Sequence, residues 1–394
     1  MPDIRRHGTY ETTSVAGENV RAFIPPPLPP DPALDINPLL QDLIERANRG
    51  LGRLDGVTRI LPDSSLFLYT YVRKEALLSS QIEGTQSSFS DLLLFEAEEA
   101  PGVPIDDVEE VSHYVSAMNH ALKRLRDGFP LSLRLICETH RILLSGGRGS
   151  NKQPGEIRTS QNWIGGSRPG NAKFVPPPPH RVMECMGLLE KFLHDDPVKT
   201  PLLIKAALAH VQFETIHPFL DGNGRVGRLL IALLLCADEA LSEPMLYLSL
   251  YFKANRDAYY ELLQRVRTDG DWEAWLDFFL RGVIETTEQA TNTAKRIMGL
   301  FTADRTKVEA LGRPAASALR VYDVLQRRVA LSIPKAAKQL GISQPTVTSA
   351  IVHLVKLGIA QEATGRKRKK LYVYDAYLKI LNEGAEPIRR EISR

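Results

Sequence analysis

Twelve consecutive positions, His217 to Arg228, read HPFLDGNGRVGR and bring together an imidazole, a carboxylate, a carboxamide, three glycines and two guanidinium groups. Pro218 disfavours helix at the residue before it, so the apolar helical stretch Leu202 to Glu214 has to end near His217. Asp221-Gly222-Asn223-Gly224 is too flexible to continue that helix, and a second apolar stretch, Leu229 to Ala237, follows at once. The pattern predicts helix, tight loop, helix, with unpaired backbone N–H groups of the second helix facing the loop. Such an N-terminus binds anions, because free donors and the helix dipole act together. Arg225 and Arg228, three apart, share a face of the first turn and oppose that dipole. A polyanionic ligand such as a nucleotide phosphate chain explains them. Asp221 is placed to hold Mg²⁺, which takes one or two carboxylates together with phosphate oxygens. His217 at the rim is placed to act as a general base.

Other ligand readings of the same residues fail. Gly222, Gly224 and Gly227 satisfy GxGxxG, but a helix precedes them instead of a strand, and no acidic residue stands about 20 positions on. Asp221 and Asn223 begin like a calcium loop whose remaining acidic ligands are missing.

The elements that must position this loop are nearly all helical. The 3.6 periodicity predicts a helix through Leu39, Leu40, Leu43, Ile44 and Ala47 that Gly50 closes. Further helices are expected at Ser65 to Leu78, Asp106 to Arg126, Ser132 to Leu144, His180 to Leu193, Arg256 to Thr268, and Trp272 past Met298. The one hairpin expected in the body is QNWIGGSRPGNAKFVPPPP, Gln161 to Pro179, where a glycine-rich tip separates two short β-prone runs. Near the N-terminus FIPPPLPPDP, Phe23 to Pro32, predicts an extended polyproline strap, lying on its own domain in preference to serving an SH3-type module.

Composition narrows the class. Of 394 residues, 43% are hydrophobic and 25% charged, the balance of a globular chain, and the length suits two or three domains. No apolar run approaches the roughly 20 residues that cross a bilayer, so no membrane partner is expected. The opening residues MPDIRRHGTYETTSVAG lack the apolar core of a secretory signal. Three cysteines (Cys137, Cys185, Cys236) with no CxxC spacing argue against a disulfide framework and for a cytoplasmic location. Charge is uneven: residues 316–394 hold 15 Lys+Arg against 6 Asp+Glu, while the rest of the chain is mildly acidic. Within that basic part, IPKAAKQLGISQPTVTSAIVHLVKLG predicts helix, turn, helix with Ser343 as cap. Two strand-like runs around a basic tip, Arg366 to Lys370, follow it. The pattern is a winged helix-turn-helix, a module that binds duplex DNA through such a tip or docks proteins.

The twelve residues HPFLDGNGRVGR resemble the signature of the Fic-domain family, HPFx[DE]GNGRxxR, without departure at any defined position. The Pro-rich start, LGRLDG at Leu51 to Gly56, PGEIR at Pro154 to Arg158 and the winged-helix tail fit the same resemblance. It implies a mainly α fold: a Fic-type helical bundle with a small β-hairpin flap, plus the C-terminal winged helix-turn-helix. The corresponding division is 1–105 for the strap and inhibitory helix and 106–302 for the catalytic core, then a linker at 303–315 and the winged helix at 316–394. The implied activity is transfer of AMP from ATP to a Tyr, Thr or Ser hydroxyl of a target protein and of the enzyme itself. By position, His217 deprotonates the hydroxyl and Asp221 holds Mg²⁺. Gly222, Asn223 and Gly224 form the anion cradle, and Arg225 and Arg228 grip the phosphates. The related Doc kinases usually carry Lys at the place of Gly224, which sets phosphate transfer aside. The hairpin becomes a target-docking flap bearing Trp163, Ile164, Gly165 and Phe174. SSQIEG, Ser79 to Gly84, resembles the family's inhibitory pattern [ST]xxxE[GN], with Ser79, Glu83 and Gly84 at the defined positions. An arginine that binds a γ-phosphate is also a natural partner for a carboxylate. The resemblance adds a homodimer to the expected partners. A nucleotide-sensing DNA-binding regulator with a Fic-like body is the alternative.

Overall fold

The computed structural model describes residues 7–15, 17–60, 64–96, 105–365 and 370–387. Its frame is a pair of long helices, α1 (Pro38–Ile60) and α11 (Trp272–Glu309), which pack along one another. Gly50 does not end the first helix; α1 runs through it. The reason is packing: a Cβ at Gly50 would collide with the Thr287 hydroxyl of α11, so the glycine permits close approach of the two helices. Between them and around them lie α2 (Ser64–Ile82), α3 (Phe89–Glu96), α4 (Ile105–Arg126), α5 (Leu133–Leu143), α6 (Pro179–Leu193), α7 (Leu202–Ile216) and α8 (Asn223–Ala237). The short α9 (Ser249–Ala254) and α10 (Arg256–Asp269) complete the body. Helix α7 is buried on every side, which is why its sequence carries almost no polar stripe. Trp275 anchors it through a hydrogen bond from Nε1 to the Ala207 carbonyl (2.9 Å).

The mainly helical architecture agrees with the sequence, as do the strands Ala360–Glu362 and Leu371–Tyr374 on either side of the basic tip; the β-structure of the body does not. Strands β1 (Thr9–Val15) and β2 (Glu18–Ile24) form an antiparallel hairpin where no strand was expected. Their alternation is visible afterwards, with Val20 and Ala22 buried and Arg21 exposed. The expected hairpin at 161–179 shrinks to a single bridge between Ile164 and Phe174, with a 3-10 turn at Pro169–Asn171. Gly165 and Gly166 at its tip both take positive φ, which suits a turn more than a continuing strand. The N-terminal hairpin supplies the support this loop lacks. Phe23 N–H donates to the Val175 carbonyl (2.9 Å), and Glu18 accepts from Gly170 N–H (2.9 Å) and pairs with Arg168. The proline strap lies on its own domain: Leu28 is buried and the Pro26 carbonyl accepts from Gln212 of α7 (2.7 Å).

Helix α11 continues through 302 to Glu309, so the first part of the stretch expected as a linker is helical. Beyond it come α12 (Ala315–Arg328), β3 (Ala330–Ser332), α13 (Ile333–Leu340), α14 (Gln344–Lys356), β4 (Ala360–Glu362), β5 (Leu371–Tyr374) and α15 (Asp375–Asn382), with strand order β3-β5-β4. Ser343 caps α14 by accepting from Thr346 N–H, as its position in the sequence predicted. Of the basic tip, residues 366–369 lie outside the described residues. This C-terminal part folds back onto α2. Lys74 donates to the Glu383 carbonyl (2.8 Å), Gln81 to the Ala385 carbonyl (3.0 Å), and the Tyr377 hydroxyl to Thr70 (3.4 Å). No helix among the described residues is long and apolar enough to cross a membrane.

Two glycines of α1 give a paired stability test. Gly50→Val has no room and should lower unfolding stability by about 1–3 kcal/mol. Gly52→Ala meets nothing within 4 Å and should raise stability by up to ~1 kcal/mol through helix propensity. Denaturant titration of both variants checks this, and equal effects would contradict the packing role of Gly50.

Candidate functional site

Helix α7 ends at His217, which takes the left-handed conformation (φ 51°, ψ 60°), and α8 begins after Gly222, also left-handed at φ 75°. The loop between them is braced from within. Asn223 accepts from Phe219 N–H (2.9 Å) and donates back to the Phe219 carbonyl (2.8 Å). Its side chain is therefore spent on the loop, and only its backbone faces the α8 N-terminus. The first helical bond, Val226 N–H to the Gly222 carbonyl, leaves the N–H groups of Asn223, Gly224 and Arg225 outside the helix ladder. One further side chain holds the loop in place. The His140 ring stacks on Phe219 (centroids 3.7 Å apart) and takes a backbone N–H from Gly155 on Nδ1 (2.8 Å). That fixes the proton on Nε2, which donates to the Asp221 carbonyl (3.0 Å). Burial pushes the His140 pKa down to about 4, so the ring is a neutral brace.

The structure brings Glu83, just past the end of α2, directly over the start of α8. Arg228 Nη2 donates to Glu83 Oε1 at 2.7 Å and to the Ser79 carbonyl at 3.0 Å, while its Nε donates to the Ser79 hydroxyl at 2.8 Å. Gly84, at φ 101°, turns the chain away immediately afterwards. A Cβ on Gly224 would collide with Glu83 Oε1, so the carboxylate rests against the first turn of α8 itself. Burial would raise the Glu83 pKa, but the charges of Arg225 and Arg228 outweigh it and hold the carboxyl below its ordinary 4.5. Ser79, Glu83 and Arg228, far apart in sequence, thus form one cluster.

Arg225 is fully buried among three carboxylates: Glu110 at 3.1 Å, Glu83 at 3.2 Å and Asp221 at 3.5 Å. None of its three nitrogens attains hydrogen-bond geometry in these contacts. A buried cation with charge neutralised but donors unused suits an anionic ligand with several oxygens. Asp221 is one-third exposed at the mouth; one oxygen accepts from Gly222 N–H (2.6 Å) and the other lies against Gly149. Among the described residues no group of three His, Cys, Asp or Glu side chains could hold a metal by itself. A single outward carboxylate beside unused phosphate donors fits Mg²⁺ arriving with its phosphates.

His217 is half-buried, and its Nδ1 has no hydrogen-bond partner. Burial pushes its pKa down to about 3, with Arg267 and Arg158 adding to the effect, so the imidazole is neutral and able to accept a proton. Of the expected flap residues, Ile164 and Phe174 pair in the bridge and Gly165 turns the tip. Phe174 is packed against Phe23 and beneath Arg267, whereas Trp163 is exposed.

Four residues around the site had no sequence signal: Glu110, His140, Glu214 and Arg267; Arg158 ends the PGEIR stretch quoted for the resemblance, which gave it no role of its own. Each of the four sits on a helix where its type is ordinarily a solvated or structural residue, and only three-dimensional contact reveals its part. Glu214 is the most telling. It is buried three residues before His217, its Oε1 is unpartnered, and a Cβ on Gly227 would come within 2.7 Å of it. Burial raises its pKa to about 7, against the pull of Arg228.

The chain is similar to known proteins over much of its helical body. Residues 41–123 match the Fic/DOC family N-terminal domain and residues 130–235 the Fic/DOC family domain. The protein adenylyltransferase Fic of Drosophila erecta is 30% identical over 189 residues, covering 48% of this chain and 34% of that protein. The Drosophila melanogaster protein of the same name is 31% identical over the same length. A probable protein adenylyltransferase of Aquifex aeolicus is 30% identical over 198 residues and is covered to 55%. The chain therefore spans about a third to a half of the length of these relatives. A solved Fic family protein from Desulfovibrio desulfuricans G20 superposes with a TM-score of 0.58 at 18% identity, covering 86% of this chain and 97% of that one. That likeness speaks for the fold.

The raised pKa of Glu214 has a consequence for stability. A carboxyl with pKa 4.5 unfolded and about 7 folded favours the folded state below pH 4.5, and that benefit is lost as pH rises through 7. Glu214→Gln mimics the neutral acid and should gain on wild type between pH 5 and 8, by up to ~3 kcal/mol. Unfolding of both proteins by denaturant at several pH values checks this. A pH-independent difference would mean that Glu214 does not titrate there.

Proposed function

We propose that this chain, whose residues 41–123 and 130–235 belong to the Fic/DOC family, is a protein adenylyltransferase that its own Glu83 holds in check. The observation that carries the proposal is the Glu83–Arg228 contact at the first turn of α8, where a carboxylate occupies an anion site. A site built for an anion and filled by a removable side chain is one from which a phosphate chain can displace that side chain. The curated relatives named as adenylyltransferases support AMP transfer from ATP as the reaction.

In this reading the free N–H groups at the start of α8 bind the phosphate chain, and Arg225 and Arg228 neutralise it. Neutral His217 takes the proton of a target Tyr, Thr or Ser hydroxyl as the oxygen attacks the α-phosphorus. The bond from that phosphorus to the bridging oxygen breaks, and diphosphate leaves with the electron pair. Mg²⁺ held by Asp221 would supply charge neutralisation on the phosphates. While Glu83 occupies its place, the γ-phosphate is displaced and the α-phosphorus is out of line with the hydroxyl; about 1 Å of misplacement suffices for a loss on the order of a hundredfold. The exposed Trp163 and the bridge at Ile164 support the loop at 161–179 as the surface that presents the target segment. Residues 316–394, with helix-turn-helix and a three-stranded sheet, support a winged-helix module. The three free cysteines agree with a cytoplasmic enzyme.

Incorporation of label from α-labelled ATP, with lysate as target and Mg²⁺ present, tests the proposal. Glu83→Gly should exceed wild type at least ~10-fold, and adding His217→Ala should remove the gain by about a hundredfold or more. Arg228→Ala should not reproduce the activation, because it removes the phosphate's partner along with the inhibitor's. A nucleotide-sensing DNA-binding regulator would incorporate nothing in any variant, and that result would overturn the proposal.

A further inference from the structure

Helix α7 ends in an unusual way, and the residues that close it surround His217. The last carbonyls of a helix need donors, commonly supplied through a glycine that follows. Here the left-handed position is taken by His217, a residue with a Cβ, at a cost of order 1 kcal/mol. Pro218 follows and has no N–H to give. Apart from His217 N–H bonding the Phe213 carbonyl (2.9 Å), the donors come from two buried arginines. Arg158 Nε donates to the His217 carbonyl (2.8 Å) and its Nη2 to the Ile216 carbonyl (3.4 Å). Arg267 Nη2 donates to the Glu214 carbonyl (3.2 Å) and its Nε to the Thr215 hydroxyl (3.1 Å).

Both arginines also hold the loop that carries the candidate docking surface. Arg158 Nη2 donates to the Pro177 carbonyl (2.5 Å), and the Arg267 guanidinium lies 4.1 Å over the Phe174 ring. Arg158 N–H adds a bond to the Pro218 carbonyl (2.9 Å). Neither forms an ion pair with a carboxylate among the described residues, although their exposures are only 1% and 7%. Burying two cations without a direct ion pair is unfavourable; the Glu214 carboxylate acts on Arg267 only from a distance, and a helix C-terminus returns part of the rest. Ordinary capping needs one neutral donor.

We infer that Arg158 and Arg267 are positioning residues for His217. They fix its strained backbone, lock the 161–179 loop to it as one unit, and set a positive field around its ring. The inference rests on His217 acting as the general base. The field has the right sign: after burial, Arg267 and then Arg158 are the charges that lower the His217 pKa, while Glu83, from the end of α2, opposes them. Glu214, on the same helix, faces the ring through its backbone. The result is a base kept unprotonated, at the place where a docked hydroxyl would arrive.

Two readouts on the full chain test this, one of them independent of activity. In protein labelled at histidine Cε1, the His217 signal, assigned by its loss in His217→Ala, should show a neutral ring from pH 8 down to 5. In Arg158→Gln and in Arg267→Gln, where burial remains but one of the two charges is gone, protonation should begin at a higher pH than in the wild type, with the larger rise in Arg267→Gln. Arg158→Lys keeps the charge without the two-pronged donor, so its ring should stay neutral. In the Glu83→Gly background, Arg158→Gln and Arg158→Lys should both lower kcat at least ~10-fold with KM for ATP within about threefold, as expected for a misplaced base. A merely structural role would lower stability and leave the His217 titration of the folded variants unchanged, which would overturn the inference. If Arg158→Gln does not fold, Arg267→Gln and Arg158→Lys carry the test. Were Glu83→Gly itself to transfer no AMP, the functional reading would fail, and the histidine titration would still decide the field of the two arginines.

Discussion

Two arginines buried at the positive end of a helix need an anion, and this requirement organises the molecule. Arg225 and Arg228 stand in the first turn of α8, where the dipole already favours negative charge and backbone donors are free. Leaving one of them unpaired in the interior would cost several kcal/mol. Glu83 satisfies Arg228 in the structure seen, at 2.7 Å, and shares Arg225 with Glu110 and Asp221. Because the same donors would serve a phosphate, the proposed inhibition and the proposed nucleotide binding are alternative answers to one electrostatic demand.

That demand explains the long-range architecture. A carboxylate from the end of α2 has to reach a helix 145 positions later, so α2 must be held rigidly against the core. Its Tyr71 hydroxyl bonds the Ala290 carbonyl of α11 (2.8 Å), and Arg256 of α10 bonds the Ile82 carbonyl (3.1 Å). The C-terminal part then folds back on it through Lys74, Gln81 and Thr70. On the other side of the site, His140, Asn223, Arg158 and Arg267 fix the α7–α8 loop so that the α8 N-terminus and the His217 ring keep one relative position.

Much of this was legible in the sequence, and for identifiable reasons. Pro218, Gly222 and Gly224 announced helix, loop, helix because proline and glycine act locally, and the structure has that form. Ser343 as a cap was readable on the same grounds. Glu83 was reached through a resemblance, and its pairing with Arg228 is seen at atomic distance. What escaped depends on contact between distant parts. Gly50 looks like a helix stop until Thr287 stands opposite it. The weak strand pair at Ile164 and Phe174 is supported by an N-terminal hairpin whose alternation was overshadowed by the prolines after it. Glu110, Glu214 and Arg267 are charged residues on ordinary helices, and nothing local distinguishes them from solvated ones.

The central claim is that Glu83 and a phosphate chain compete for one anion site, and direct binding tests it without any chemistry. Calorimetric titration of tripolyphosphate into wild type and Glu83→Gly, with AMP as the control, reads the competition itself. The account predicts at least ~10-fold tighter tripolyphosphate binding by Glu83→Gly, the size expected for removing a charge-assisted partner from the site, with AMP affinity unchanged. Equal tripolyphosphate affinity in the two folded proteins would contradict it.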